Sequence, residues 1–302
     1  MLSSSPLETP GTTLSPTTKG ILLMVAAMLI IPFNDGIAKA LTARYPVAEI
    51  VWARYFFHFL LLLPLIAWKN GLASLRPKRI WLHLLRGAFT VSATFFFFWG
   101  LASLPMADTL ALLFCYPLLI TAMSPIFLGE KVGPRRWAAV IAGMVGVLVI
   151  IRPGGDVFQW SSLFGVAAGL SMACYWIVTR RVSTSAPPLV AAAYAAVFGV
   201  LFMPIILPGG WVVPTSGDVG LVAIMGAIAA VFHILIVKAL EFGQASVLAP
   251  FGYTEIIMAT TIGYVVFGDF PDPLTWLGIA IVIGAGVYIS LRERKQQEGA
   301  SA

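Results

Sequence analysis

Apolar residues in this chain come in long uninterrupted runs, and the polar residues gather in short gaps between them. Ten runs can be marked, at 20–41, 47–68, 80–101, 107–127, 136–152, 161–180, 188–207, 218–240, 246–267 and 274–291. Most hold about 20 residues, the length at which a helix rising about 1.5 Å per residue crosses a hydrocarbon core about 30 Å thick. The runs are continuous rather than alternating and about twice the length of a barrel strand, so they predict helices. Lipid also forbids open sheet edges.

The composition agrees: 59% hydrophobic and 11% charged, against roughly 45–50% and 25% in soluble domains. No stretch is left to build a soluble domain. Residues 1–18, rich in Ser, Thr and Pro, read as a disordered cytoplasmic tail, and 292–302 as a cytoplasmic tail. Lys19 followed by an apolar run mimics a signal peptide. The run continues past Ile30 without a small-residue cleavage site, so a retained helix is expected.

The net charge of +6 is spread over short loops, which excludes a nucleic-acid surface and instead reports topology. With a cytoplasmic N-terminus, that side holds 13 basic residues: Lys19, Lys69, Arg76, Lys78, Arg79, Lys131, Arg135, Arg136, Arg180, Arg181, Arg292, Arg294 and Lys295. The opposite side holds only Lys39, Arg44 and Arg152. A multi-pass protein of the cell inner membrane with both termini cytoplasmic is expected. Cys115 and Cys174 fall inside spans and read as small hydrophobes. His58, His83 and His233 sit on three different helices without ligand spacing, so neither a metal nor a cofactor is expected.

The chain repeats itself weakly. Gly129-Glu130, Pro134 and Trp137 follow span four, and Gly268-Asp269, Pro273 and Trp276 follow span nine, all at an offset of 139 residues. Val25-Ala26-Ala27, Leu29 and Lys39 match Val166-Ala167-Ala168, Leu170 and Arg180 at an offset of 141. Each half, 19–152 and 161–291, holds five spans, an odd number, so the second must enter the membrane from the other side. The fold class expected is all-α integral membrane, with ten transmembrane helices as two inverted five-helix repeats. That is the architecture of alternating-access carriers, whose substrates bind near the midplane between the repeats.

On these residues the chain resembles the drug/metabolite transporter superfamily, EamA type, over about Gly20 to Leu291. Phe33-Asn34-Asp35 with Lys39, Tyr45-Pro46, Glu49, Arg54 and Leu85-Arg86-Gly87 is similar to bacterial members linked to riboflavin or S-adenosylmethionine uptake. Many relatives carry a Trp-Gly pair where this chain has Phe33-Asn34-Asp35, a departure that bears on substrate.

Glu255 is the most informative single residue. It lies about 13 Å into span nine, where an ionisable group is costly unless it faces a cavity or finds a partner. Pro250 and Gly252 just before it predict local unwinding. The repeat sets Tyr116, before Pro117, opposite Glu255. Glu255 is expected to bind a coupling proton or a cationic substrate group between Tyr116 and Tyr253; the other reading is a protonated acid that serves packing.

In span one, Asp35 lies four residues before Lys39 and can pair with it. Asn34, Asp35 and Arg54 form either a substrate clamp or a static network. Arg86 either snorkels to water or faces an anion at the inner mouth, with Lys238 its rough counterpart. Of the aromatic run Phe95 to Trp99, Trp99 is the expected stacking surface, with Tyr175 and Trp176 offering another. Gly143 with Gly146, Gly165 with Gly169, and Gly284 with Gly286 read as helix-packing positions.

No phosphate-binding loop or cytoplasmic ATPase domain is legible, so active transport has to use a gradient. The expected function is secondary transport of a small organic metabolite, with an aromatic cofactor such as riboflavin or S-adenosylmethionine first. Export of amino acids or drugs is the alternative, and a membrane-embedded enzyme or scaffold the alternative of a different class. The expected partners are that small molecule, the lipid bilayer and a coupling proton or exchange substrate; oligomeric state is left open, and no residue is given a catalytic role.

Overall fold

The computed structural model describes residues 14–76, 79–153, 159–182, 187–206 and 210–301. Residues 1–13 of the expected tail lie outside the described residues. Helix α1 (Pro16–Thr42) begins at Pro16, where Ser15 Oγ accepts from the Thr18 amide at 3.1 Å. Then come α2 (Val47–Lys69), α3 (Ile80–Leu101), α4 (Met106–Leu113), α5 (Tyr116–Phe127) and α6 (Pro134–Ile151). The second half holds α7 (Ser162–Val182), α8 (Pro188–Ile206), α9 (Ser216–Phe242), α10 (Ala245–Leu248), a 3-10 stretch Ala249–Thr254, α11 (Glu255–Phe267) and α12 (Pro273–Ser301).

These elements make ten crossings. Eight are long and apolar enough to span a membrane outright, α4 and α5 together forming one of them. The seventh, α8, contributes a shorter apolar helix, and the ninth is assembled from α10, the 3-10 stretch and α11.

Contacts between the halves carry the inverted symmetry. Crossing one (α1) packs on crossing eight (α9), and crossing six (α7) on crossing three (α3), a pairing that exchanging the halves reproduces. Two further seams map onto themselves under the same exchange: α2 against α8, and α6 against α12.

The repeated Gly-acid turns have one geometry. Gly129 (φ 69°) and Gly268 (φ 72°) adopt the left-handed conformation that only glycine takes at little cost. The next amide reaches back six residues in both halves: Glu130 N to Ser124 O at 3.4 Å, and Asp269 N to Gly263 O at 2.9 Å. These Schellman closures stop each helix and turn its acid toward the opposite half.

Glycine also lets helices meet at two places that matter for the centre. A Cβ on Gly169 of α7 would fall 2.5 Å from Cys115 Sγ and 3.0 Å from the Leu113 carbonyl. One on Gly286 of α12 would collide with Tyr253 Oη. Gly284 differs from the packing expectation, because nothing lies within 4 Å of where its Cβ would be. Gly169→Leu is therefore expected to destabilise the fold by about 1–3 kcal/mol, the range for overpacking a filled core. Gly284→Leu should be neutral, with thermal unfolding in detergent as the measurement for both.

Candidate functional site

Crossings four and nine both break at membrane depth, at equivalent positions. Pro117 cannot donate to the Leu113 carbonyl, and the helix is interrupted at Phe114 and Cys115 before α5 starts on Tyr116. In crossing nine, Pro250 and Gly252 lie in the 3-10 stretch, and α11 starts on Glu255. The unwinding expected from Pro250 and Gly252 is thus present. Tyr116 and Glu255, 139 residues apart, are each the first residue of a half-helix. Glu255 therefore sits at the positive end of the α11 dipole.

The two breaks touch. The Phe114 ring lies 5.1 Å from that of Tyr253, edge to face. Tyr116 interacts electrostatically with Tyr253 and Glu255, and Glu255 with Asp35. Glu255, Tyr116 and Tyr253 are half-buried. Acid groups from α1 and α11, one per half, thus interact electrostatically near both breaks.

Helix α1 reaches this centre with Pro32 inside it, next to the Asn34-Asp35 pair. Asn34 Nδ2 donates to Asp35 Oδ1 at 2.9 Å, and Arg54 Nε donates to Asn34 Oδ1 at 3.1 Å. Asn34, Asp35 and Arg54 are all buried. The Arg54 guanidinium lies 4.9 Å from the Tyr55 ring and 5.9 Å from that of Phe98. Phe98 is thus the member of the aromatic run that reaches the polar centre. Trp99 stacks on Phe164 of α7 at 5.1 Å and is 43% exposed, which places it in the α3–α7 seam.

Arg86 does not snorkel. It is buried, with its guanidinium 5.5 Å from the Tyr175 ring. Lys238 pairs with Glu241 at 2.6 Å, and both are well exposed. Lys39 passes over Asp35, four residues away. Its Nζ donates instead to Asp269 Oδ2 at 2.8 Å and to the Leu104 carbonyl at 2.5 Å. Asp35 points into the centre and Lys39 to the end of the molecule away from the chain termini.

That far end is tied across the halves by further pairs. Arg44 and Tyr45 donate to Asp218 at 2.9 and 2.7 Å, Arg152 donates to Asp272 at 2.5 and 2.6 Å, and the Val212 amide donates to Glu49 at 3.0 Å. Burial raises the Asp272 carboxyl from its ordinary 3.8. Hydrogen bonds from Arg152, Thr275 and Leu274 outweigh that and hold it down to about 2. Because the folded value is depressed, this tie contributes fully above 3.8 and is lost as pH falls through about 2. At the termini end, Arg180 Nη1 donates to Glu130 Oε1 at 3.0 Å, and Arg181 to the Phe127 carbonyl.

Sequence reading missed His58 and His233. They come from opposite halves, yet their rings lie 4.9 Å apart, set by the close crossing of α2 and α9 at Gly226. The available signal was the four-residue step from Arg54 to His58, which puts both on one helix face. Asp218 and Asp108 were missed as well. Asp108 is grouped electrostatically with Asp272, Arg152, Asp269 and Lys39, and only the fold assembles that set.

An inverted repeat of five crossings, broken helices at its centre and ion-paired ends define a membrane carrier. The profile of the EamA-like transporter family matches residues 18–152 and again 159–292. The chain belongs to that family. It is 29% identical over 284 residues to a riboflavin transporter of Rhizobium johnstonii, covering 92% of this chain and 93% of that one. It is 27% identical over 262 residues to an S-adenosylmethionine uptake transporter of Rickettsia bellii, covering 87% and 90%. A crystal structure with 20% identity superposes at a TM-score of 0.62 over 92% of this chain and 99% of that one, which shows the shared fold.

Glu255→Gln keeps the shape of the side chain and removes its acidity. It is expected to abolish substrate accumulation in proteoliposomes while yield and Tm stay at wild-type levels; unchanged accumulation would assign Glu255 to packing.

Proposed function

We propose that this protein is an inner-membrane secondary transporter that takes up a small organic metabolite by alternating access, with both termini in the cytoplasm. The observation that carries this is a matched pair of closures. Lys39–Asp269 joins crossing one to the turn after crossing nine, and Arg180–Glu130 joins crossing six to the turn after crossing four. The repeat relates Lys39 to Arg180 and Asp269 to Glu130, and each acid is presented by the same Gly-ended turn. The two closures lie at opposite ends of the molecule. A carrier that opens to one side at a time needs a gate of like design at each end; an enzyme or a scaffold has no such need.

The orientation is supported by the 13 basic residues on the termini side against three on the other, Lys39, Arg44 and Arg152. The names of the Rhizobium and Rickettsia relatives support uptake of a metabolite that carries an aromatic ring system. Glu255 and Asp35 are the groups that take either a coupling proton or a substrate cation. One chain contains both broken helices, so the site is complete within a protomer.

The test is uptake of labelled S-adenosylmethionine and, separately, riboflavin into proteoliposomes, each with and without a pH gradient. Accumulation of one of them supports the proposal, and binding without translocation sinks it. For the gates, Lys39→Asp is expected to impair uptake severely and the double variant Lys39→Asp/Asp269→Lys to recover it. Undiminished uptake by the single variant would show that this pair is not a gate.

A further inference from the structure

Two kinds of polar group are buried at the centre, and an asparagine holds them apart. On one side lie the carboxyls of buried Asp35 and half-buried Glu255, one from each half, close enough to interact electrostatically. On the other lies the guanidinium of Arg54, whose Nε donates to Asn34, the residue that in turn donates to Asp35. Among the described residues, buried Arg54 Nη1 has no hydrogen-bond partner, and one turn along α2 both ring nitrogens of His58 are in the same condition. Unmade hydrogen bonds on buried donors are costly, most of all on a charged group. Arg54 Nη1 and the one N–H of a neutral His58 imidazole thus lie one turn apart on one face of α2 as buried donors that an acceptor group would satisfy.

We propose that Arg54 is a specificity-determining residue: its Nη1 takes the carboxylate of a zwitterionic substrate whose cationic end lies between Asp35 and Glu255. This rests on the transport function proposed above and deepens it. A substrate with both charges satisfies both poles at once, so the site can close over it without leaving a buried charge unpaired. Asn34 keeps the poles distinct by preventing Arg54 from collapsing directly onto Asp35. Phe98 and Tyr55, which flank the guanidinium, wall the carboxylate end. The substrate class is an amino-acid zwitterion, including a sulfonium amino acid, rather than an uncharged ring system. His58, packed on His233, supplies the second polar contact at the carboxylate end.

The experiment uses the full chain in proteoliposomes loaded to measure uptake of labelled S-adenosylmethionine. Competitors are unlabelled S-adenosylmethionine, its decarboxylated form, which keeps the sulfonium and amine, and riboflavin. In wild type the carboxylate-bearing compound should compete better than its decarboxylated form by about tenfold or more, as expected where a buried donor is left unpaired by the analogue. Arg54→Gln should bring that ratio close to one, and Arg54→Lys should restore part of it. Equal competition by the two forms in wild type overturns the proposal without reference to any variant, as does preferential inhibition by riboflavin. In both cases transport itself stands. Absence of uptake of either labelled S-adenosylmethionine or labelled riboflavin removes the transport function, and the proposal falls with it.

Discussion

A helix broken inside a bilayer leaves backbone groups unpaired, and lipid offers them nothing. Two breaks at membrane depth must therefore be enclosed by protein, and this constraint organises the rest of the molecule. Each break is walled by a glycine of a neighbouring helix, Cys115 against Gly169 and Tyr253 against Gly286. The breaks also cover each other through Phe114 and Tyr253. Once such an enclosure exists, Glu255, Asp35 and Arg54 can be kept away from hydrocarbon inside it. The broken backbone and the buried acids are thus two consequences of one enclosure.

Much of this was legible because it is written in local chemistry. Proline and glycine at 250 and 252 act on their own backbone, and α11 does begin at Glu255. The Gly-acid turns are recognisable in both halves because only glycine takes their φ cheaply. What was not legible depended on tertiary choice. Lys39 had an acid one turn away in Asp35 and another 230 residues away in Asp269, and spacing favours the near one. The fold rotates α1 so that Asp35 faces the centre and Lys39 the rim. Helix rotation likewise decides that Phe98 rather than Trp99 meets Arg54. His58 and His233 looked scattered because nothing in either segment encodes the crossing of α2 with α9 at Gly226.

Ion pairs join the halves at both ends of the molecule. Three ion pairs join the halves at the far end, through Lys39, Arg44 and Arg152. At the termini end Glu130 pairs with Arg180, and their side chains are more exposed than those of Lys39 and Asp269. Exposed ion pairs contribute about 0–1 kcal/mol each. Closure built from several of them is strong enough to hold a state and weak enough for differential ligand affinity to shift it.

The route from site to gate follows from which elements carry each. Helix α1 bears Asp35 at the centre and Lys39 one turn beyond it. Helix α11 begins on Glu255 and ends at the Gly268-Asp269 turn, 13 residues later. The same two rods therefore carry the acids of the site and the ion pair of the far gate. The other half repeats this: α5 begins on Tyr116 and ends at the Gly129-Glu130 turn, whose acid pairs with Arg180 of α7. A helix of this length spans about 20 Å and is stiff. Under the proposed function, drawing Asp35 and Glu255 together around a substrate would shift Lys39 against Asp269. On the proposed function, such a gate needs no separate transmission path, because the proposed binding residues and the ion pair lie toward opposite ends of the same helical segments.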